Sequence, residues 1–183
     1  MCSSRSLGMV LLLLLLGFLS GCGDNLLPSS EDKRPVVQAG SSGGSVSQKA
    51  PDFSVPEING TIVTLASSTA GKKGAVLYFT MWCSICEVHI NHLQESIIPQ
   101  FPDVRFYLVD YVSGSVKGAA DSATANGYAG GLFPILADFD HQLNSSFQGT
   151  MGTTVVIDSS GTVRMNEDFQ NGSRLIAALS ALP

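Results

Sequence analysis

The stretch Tyr78-Phe79-Thr80-Met81-Trp82-Cys83-Ser84-Ile85-Cys86 decides how this chain is read. The run from Ala75 to Phe79 is short, continuous and apolar, as a buried parallel strand requires. Trp82 follows it, then two cysteines separated by two residues. Beyond them Ile85, Val88, Ile90, Leu93 and Ile97 recur near a helical period, which predicts a helix from about Ser84 to Ile98, ended by Pro99 and Pro102. The dithiol therefore sits where a buried strand passes into a helix. Cysteines at this spacing close a disulfide with little strain. Cys83 meets the helix N-terminus, where unpaired N–H groups favour a thiolate, so its pKa is expected below the free value of about 8.5. A thiolate attacks a disulfide to give a mixed disulfide, and a second thiol resolves it. On this reading Cys83 is the nucleophile, Cys86 the more buried resolving thiol of a Cys83–Cys86 disulfide, and Trp82 a shield.

Two other readings of the pair stand beside this one. A permanent structural disulfide would close so short a loop that it removes little chain entropy. A zinc site needs two further ligands, and there is no second cysteine pair. His89 and His92 follow Cys86, but on a helix His92 lies about 240° around the axis from Cys86, so the three do not converge.

The rest of the chain supports a redox reading outside the cytoplasm. Charged residues are only 14% of the 183 residues, and the net charge is −5. Without the first 21 residues, nine bases face fifteen acids. An acidic body with no basic run argues against nucleic acid and against docking on anionic lipid. Residues 1–21 read as an export signal: Arg5, an apolar core from Met9 through Leu16, then Phe18-Leu19. That core is too short to span a bilayer comfortably. Of four cysteines, Cys2 lies in this leader and Cys22 directly follows it, which leaves Cys83 and Cys86 as the free pair. Residues 22–49 lack periodicity and carry Pro28-Ser29-Ser30 and Gly40-Ser41-Ser42-Gly43-Gly44-Ser45, the composition of a flexible tether. Residues 50–183 form the domain. Asn59-Gly60 sets a hairpin, and strands are expected at 75–79, 104–111, 133–136, 154–158 and 162–165. Helices are expected at 84–98, 115–127, 140–147 and 174–182. Asp138, Asp140 and His141 suit a cap of the third, and Gly130-Gly131 a loop.

Two family resemblances sharpen this. Leu19-Ser20-Gly21-Cys22 resembles the bacterial lipobox, which implies lipidation of Cys22 and cleavage before it. Gly23 rather than Asp at the second mature position leans toward the outer membrane, facing the periplasm. Ala50-Pro51-Asp52-Phe53, Val76 to Cys86, Phe133-Pro134-Ile135-Leu136 and Thr153 to Asp158 together resemble the thioredoxin-like domain, closest to the TlpA-like branch of the redoxin superfamily. The alkyl-hydroperoxide cysteine context, Pro-x-x-x-Thr-x-x-Cys, is absent. The resemblance implies an α/β fold: a mixed central sheet with helices on both faces and an N-terminal β-hairpin extension. It also implies a lipid-anchored thiol–disulfide oxidoreductase of the cell envelope with no cofactor. Its partners would be a protein disulfide or dithiol client and an upstream redox donor.

The chain departs from that family at three places. Counting back from Cys83 puts Leu77 where thioredoxins hold a buried Asp. His89 stands where many TlpA-like proteins have a glutamate proposed to move protons; it either tunes the dithiol or is a plain helix histidine. Gly152 takes the position of the family's cis-proline, which predicts a trans, more flexible loop. Met151 beside it adds a soft sulfur, so that Cys83, Cys86 and Met151 form an alternative Cu(I) set in the manner of Sco-type copper chaperones. The plainer reading of Met151 is loop packing.

Overall fold

A computed structural model describes residues 37–183. The leader at 1–21, Cys22 and the tether up to residue 36 lie outside the described residues. The first strand pair, β1 (Ser54–Pro56) and β2 (Ile62–Thr64), is antiparallel and turns at Gly60, whose φ of +88° suits glycine. Thr64 ends β2 and caps a short helix, α1 (Leu65–Thr69), through a capping box with Ser67. Leu65 is thus the first residue of a helix rather than the last of a strand.

Five strands make the central sheet: β3 (Gly74–Thr80), β4 (Val104–Asp110), β5 (Ile135–Ala137), β6 (Thr153–Asp158) and β7 (Val163–Asp168). Their order is β5-β4-β3-β6-β7. β3, β4 and β5 run parallel, and β6 and β7 are antiparallel to their neighbours. β3 is central and buried along its whole length. Its alternation divides the core in two. Val76 and Tyr78 face a layer built with Cys86, Ile90, Leu93 and Ile97, and with Leu175 and Leu179 of the last helix. Leu77 and Phe79 face the opposite layer, with Phe53, Val55, Leu143 and Phe147. Burying each such aliphatic or aromatic side chain contributes about 1.5–3 kcal/mol.

The helices are α2 (Ser84–His92), α3 (Val116–Ala125), α4 (Gln142–Phe147) and α5 (Ser173–Ser180). α2 widens into a π turn over Leu93–Ile97 and tightens into a 3-10 turn at Ile98–Gln100, where Pro99 stops it. Side chains of α2 and α5 fill one core layer and those of α4 the other, so the sheet is covered on both faces as expected. Asp138 caps α4, its carboxylate accepting the N–H groups of Leu143 and Asn144 at 3.1 and 2.8 Å. Burial raises the Asp138 pKa against those hydrogen bonds.

One boundary moves. Residues 37–49, assigned by composition to the tether, are packed on the domain. Ser47 N–H donates to Val163 O and Val163 N–H to Gln48 O, both at 2.9 Å. Asn166 Nδ2 donates to Gly44 O at 2.8 Å. Polar, glycine-rich composition excludes a core of its own but not backbone pairing to an existing sheet. This segment covers the start of the β7 edge. At the other edge Ile58 N–H donates to Ile135 O at 2.9 Å. Both edges of the sheet are thereby partly paired, which limits strand addition by other chains.

Candidate active site

Cys83 is the N-cap of α2. Its backbone is extended (φ −93°, ψ 164°), and its Sγ accepts the Cys86 N–H at 3.2 Å. A sulfur occupies the place where serine or aspartate usually satisfies an orphan N–H. Both cysteines are free thiols, Cys83 partly exposed and Cys86 0% exposed. The accessible and the buried sulfur are therefore those expected from the sequence.

Their titration differs from the expectation. Burial raises Cys86, but hydrogen bonds from the Cys83 side chain, the Met81 and Cys83 backbone and the Thr80 hydroxyl outweigh it, and the net direction is down. Burial and the hydrogen bond with Cys86 push Cys83 up, against the N–H groups of Cys86 and Ile85. The expected lowering of the Cys83 pKa is corrected: the direction is up for Cys83 and down for the buried Cys86.

Trp82 precedes the pair with φ +58°, an uncommon conformation for a residue with a Cβ. Two hydrogen bonds hold it there. Its N–H donates to Thr80 Oγ1 at 3.1 Å and its Nε1–H to Asp110 Oδ2 at 2.7 Å. Asp110, at the end of β4, also accepts the N–H groups of Val112 and Ser113 and the Ser113 hydroxyl. The indole stacks on Tyr128, with centroids 6.1 Å apart. Trp82 is thus locked beside the dithiol by a buried carboxylate that the sequence did not single out.

Gly152 is trans, as is every peptide bond among the described residues. The looseness expected of its loop is not seen. Its φ is +85°, its N–H donates to Phe79 O at 3.0 Å, and its carbonyl accepts the Phe169 N–H at 2.8 Å. Glycine supplies both the left-handed backbone and a donor that proline lacks. The loop sets Met151 beside Cys83, with Met151 Sδ 3.2 Å from Cys83 Sγ and the residue 41% exposed.

His89 is half-buried, and its Nδ1 lies 2.9 Å from the Tyr78 hydroxyl. Burial, and secondarily the charge of His92, lower its pKa. Tyr78 is 0% exposed and packs in the same core layer as Cys86. Burial first, then the charges of Cys86 and Cys83, push its pKa far up. Leu77, placed by residue counting at the family's acid position, sits in the other core layer. Tyr78 is the β3 residue that meets Cys86. Strand alternation held that signal, since 76, 78 and 80 share one face. The zinc set does not assemble: among the described residues no three of His, Cys, Asp and Glu form a metal-holding group.

Residues 46–166 match the AhpC/TSA family. The chain belongs to the AhpC/TSA family. Its fold is thioredoxin-like, as three solved structures illustrate. A candidate protein disulfide isomerase from Bacteroides thetaiotaomicron aligns at a TM-score of 0.62 and 21% identity, covering 78% of this chain and 94% of that one. The exposed lipoprotein thioredoxin of Streptococcus pneumoniae aligns at 0.58 and 22%, covering 72% and 100%. A secreted disulfide oxidoreductase of Mycobacterium tuberculosis aligns at 0.53 and 19%, covering 71% and 96%. No curated protein matches the sequence.

Proposed function

We propose that this AhpC/TSA-family chain is a membrane-anchored, extracytoplasmic thiol–disulfide oxidoreductase of the TlpA-like branch. The observation that carries the reading is the pairing of an accessible Cys83 sulfur at a helix N-terminus with a buried Cys86 behind it. The Cys83 thiolate attacks a client disulfide, forming a mixed disulfide and releasing one client thiolate. Cys86 then attacks the Cys83 sulfur, and the second client thiolate leaves. The client has gained two electrons and Cys83–Cys86 is now a disulfide, which an upstream dithiol donor reduces again. The Leu19-Ser20-Gly21-Cys22 sequence supports anchoring through lipidated Cys22 in the cell envelope, and Gly23 favours the outer membrane.

A copper-chaperone reading has one observation in its favour, the 3.2 Å approach of Met151 Sδ to Cys83 Sγ. With Cys86, this makes a set of three soft sulfurs suited to Cu(I), and binding would displace the thiol protons. One measurement separates the two. The Cys83–Cys86 reduction potential is determined in thiol–disulfide buffers with and without Cu(I). A reversible two-electron couple is expected, and its absence overturns the oxidoreductase reading. A couple that Cu(I) leaves unmoved removes the copper reading.

A further inference from the structure

The resolving step leaves a proton to be placed. Cys86 is wholly buried. While Cys83 is free, it gives Cys86 a hydrogen bond that helps hold the charge. Once Cys83 is bonded to a client, that hydrogen bond is gone and burial favours the neutral Cys86 thiol. A neutral thiol is a poor nucleophile, so its proton must leave as it attacks. Tyr78 and Thr80 are the hydroxyl-bearing residues on the β3 face turned toward Cys86. Thr80 Oγ1 accepts the Trp82 N–H, and Asp110, its cross-strand neighbour, is taken up by Trp82, Val112 and Ser113. Tyr78 has His89 on its far side.

We propose that Tyr78 and His89 form a proton relay that deprotonates Cys86 when the mixed disulfide is resolved. This rests on the oxidoreductase reading. The Cys86 thiol proton passes to the Tyr78 oxygen as the Tyr78 hydroxyl proton passes to His89 Nδ1. Tyr78 ends neutral, His89 becomes imidazolium, Cys86 forms its bond to Cys83, and the client sulfur leaves as a thiolate. Half-buried His89 then gives a proton up to solvent. Tyr78 never has to ionise, which its burial forbids. The geometry favours this path in three ways. The Tyr78–His89 contact is 2.9 Å. Both rings are braced by Phe169, at centroid distances of 6.2 and 4.7 Å. The lowered His89 pKa keeps its nitrogen free to accept at neutral pH. The titratable groups facing the relay are Cys83 and His92 on its own helix and Tyr128 from the loop after α3.

The test mixes the reduced protein with a chromogenic aromatic disulfide, whose thiol is released twice, first by Cys83 and then by Cys86. Wild type, Tyr78→Phe and His89→Gln are compared from acid to mildly alkaline pH. The first release is measured in each protein, and the second is read as a ratio to it. The second release slows by on the order of a hundredfold in each variant, as loss of an acid–base group does. In wild type it falls as pH drops through the His89 titration, below the ordinary histidine range, and both variants lose that inflection. The double variant is no slower than Tyr78→Phe. If Tyr78→Phe does not fold, His89→Gln alone decides. A second release slowed less than about threefold in the folded variants, or an inflection retained in His89→Gln, overturns the relay. A wild-type protein with no first release overturns the oxidoreductase reading and the relay with it.

Discussion

At the scale of single residues the site depends on backbone conformations that its chemistry does not advertise. Trp82 is held at positive φ by Thr80 and Asp110, and the residue after it is Cys83, the proposed nucleophile. Gly152 is held at positive φ by Phe79 and Phe169, and the residue before it is Met151. Each case fixes a sulfur by fixing its neighbour. Gly152 differs from a proline in what it donates as much as in what it permits. Gly152→Pro would lose the hydrogen bond to Phe79 O and could not keep φ near +85°, so it is expected to destabilise the fold by about 3 kcal/mol or more. Gly152→Ala keeps the N–H and meets His89 only at ordinary contact distance, 3.9 Å. It should cost about 1–2 kcal/mol, the strain of a left-handed alanine. Denaturant titration of the three proteins checks this. Proline equal to glycine would show that the loop has a second acceptable conformation.

At the scale of elements, α2 begins on a side chain that is also the proposed nucleophile. The Cys83 sulfur caps the helix through Cys86 N–H, so structure and chemistry can be separated by substitution. Cys83→Ser keeps an oxygen acceptor of the preferred capping type and should match wild-type stability, whereas Cys83→Ala should lose about 1 kcal/mol. Both should abolish reaction with disulfides. Thermal melts at matched pH and a thiol-exchange assay read the two effects, and an alanine variant as stable as serine would show that the cap contributes nothing. The elements themselves were largely legible in the sequence. The run at 75–79, the helical spacing from Ile85 to Ile97 and Asn59-Gly60 each depend on local periodicity or turn chemistry, and all three emerge with boundaries shifted by a residue or two. What local pattern does not carry is contact at long range. No local pattern near Met151 signals its contact with Cys83, 68 residues away; only the resemblance of its loop to the family's cis-proline segment put the two together. Asp110 reads as the end of a strand until Trp82 is folded onto it. Leu77 was given the acid's position by counting, but a strand's faces alternate, and the residue against Cys86 is Tyr78.

At the scale of the molecule, the sheet's edges explain why 37–49 belongs to the domain. A composition rich in glycine and serine describes a segment unable to bury side chains, yet this one contributes backbone groups. Gly40 N–H donates to Ser47 O, and Lys49 N–H to Ser41 O, each at 2.8 Å, which folds the segment back on itself. Ser47, Gln48 and Ala50 then pair with Val163 and Gly161 at 2.9 Å. Lys49 Nζ donates to Ser160 O at 2.8 Å. If Cys22 carries the proposed anchor, residues 37–49 add nothing to the reach between it and the domain. Two shortened proteins test the boundary. A chain beginning at Val37 should fold with the stability of the longer one. A chain beginning at Ala50 gives up the two Val163 pairings and the Asn166 and Lys49 contacts. At about 0.5–1.5 kcal/mol for each of these four hydrogen bonds, it should be less stable by about 2–6 kcal/mol. It would also expose the Val163 end of β7, so self-association should rise with concentration. Urea titration and light scattering of the two proteins give the answer. Equal stability and equal monomer content would return 37–49 to the tether, and a loss confined to the Ala50 chain would make it the first structural element of the fold.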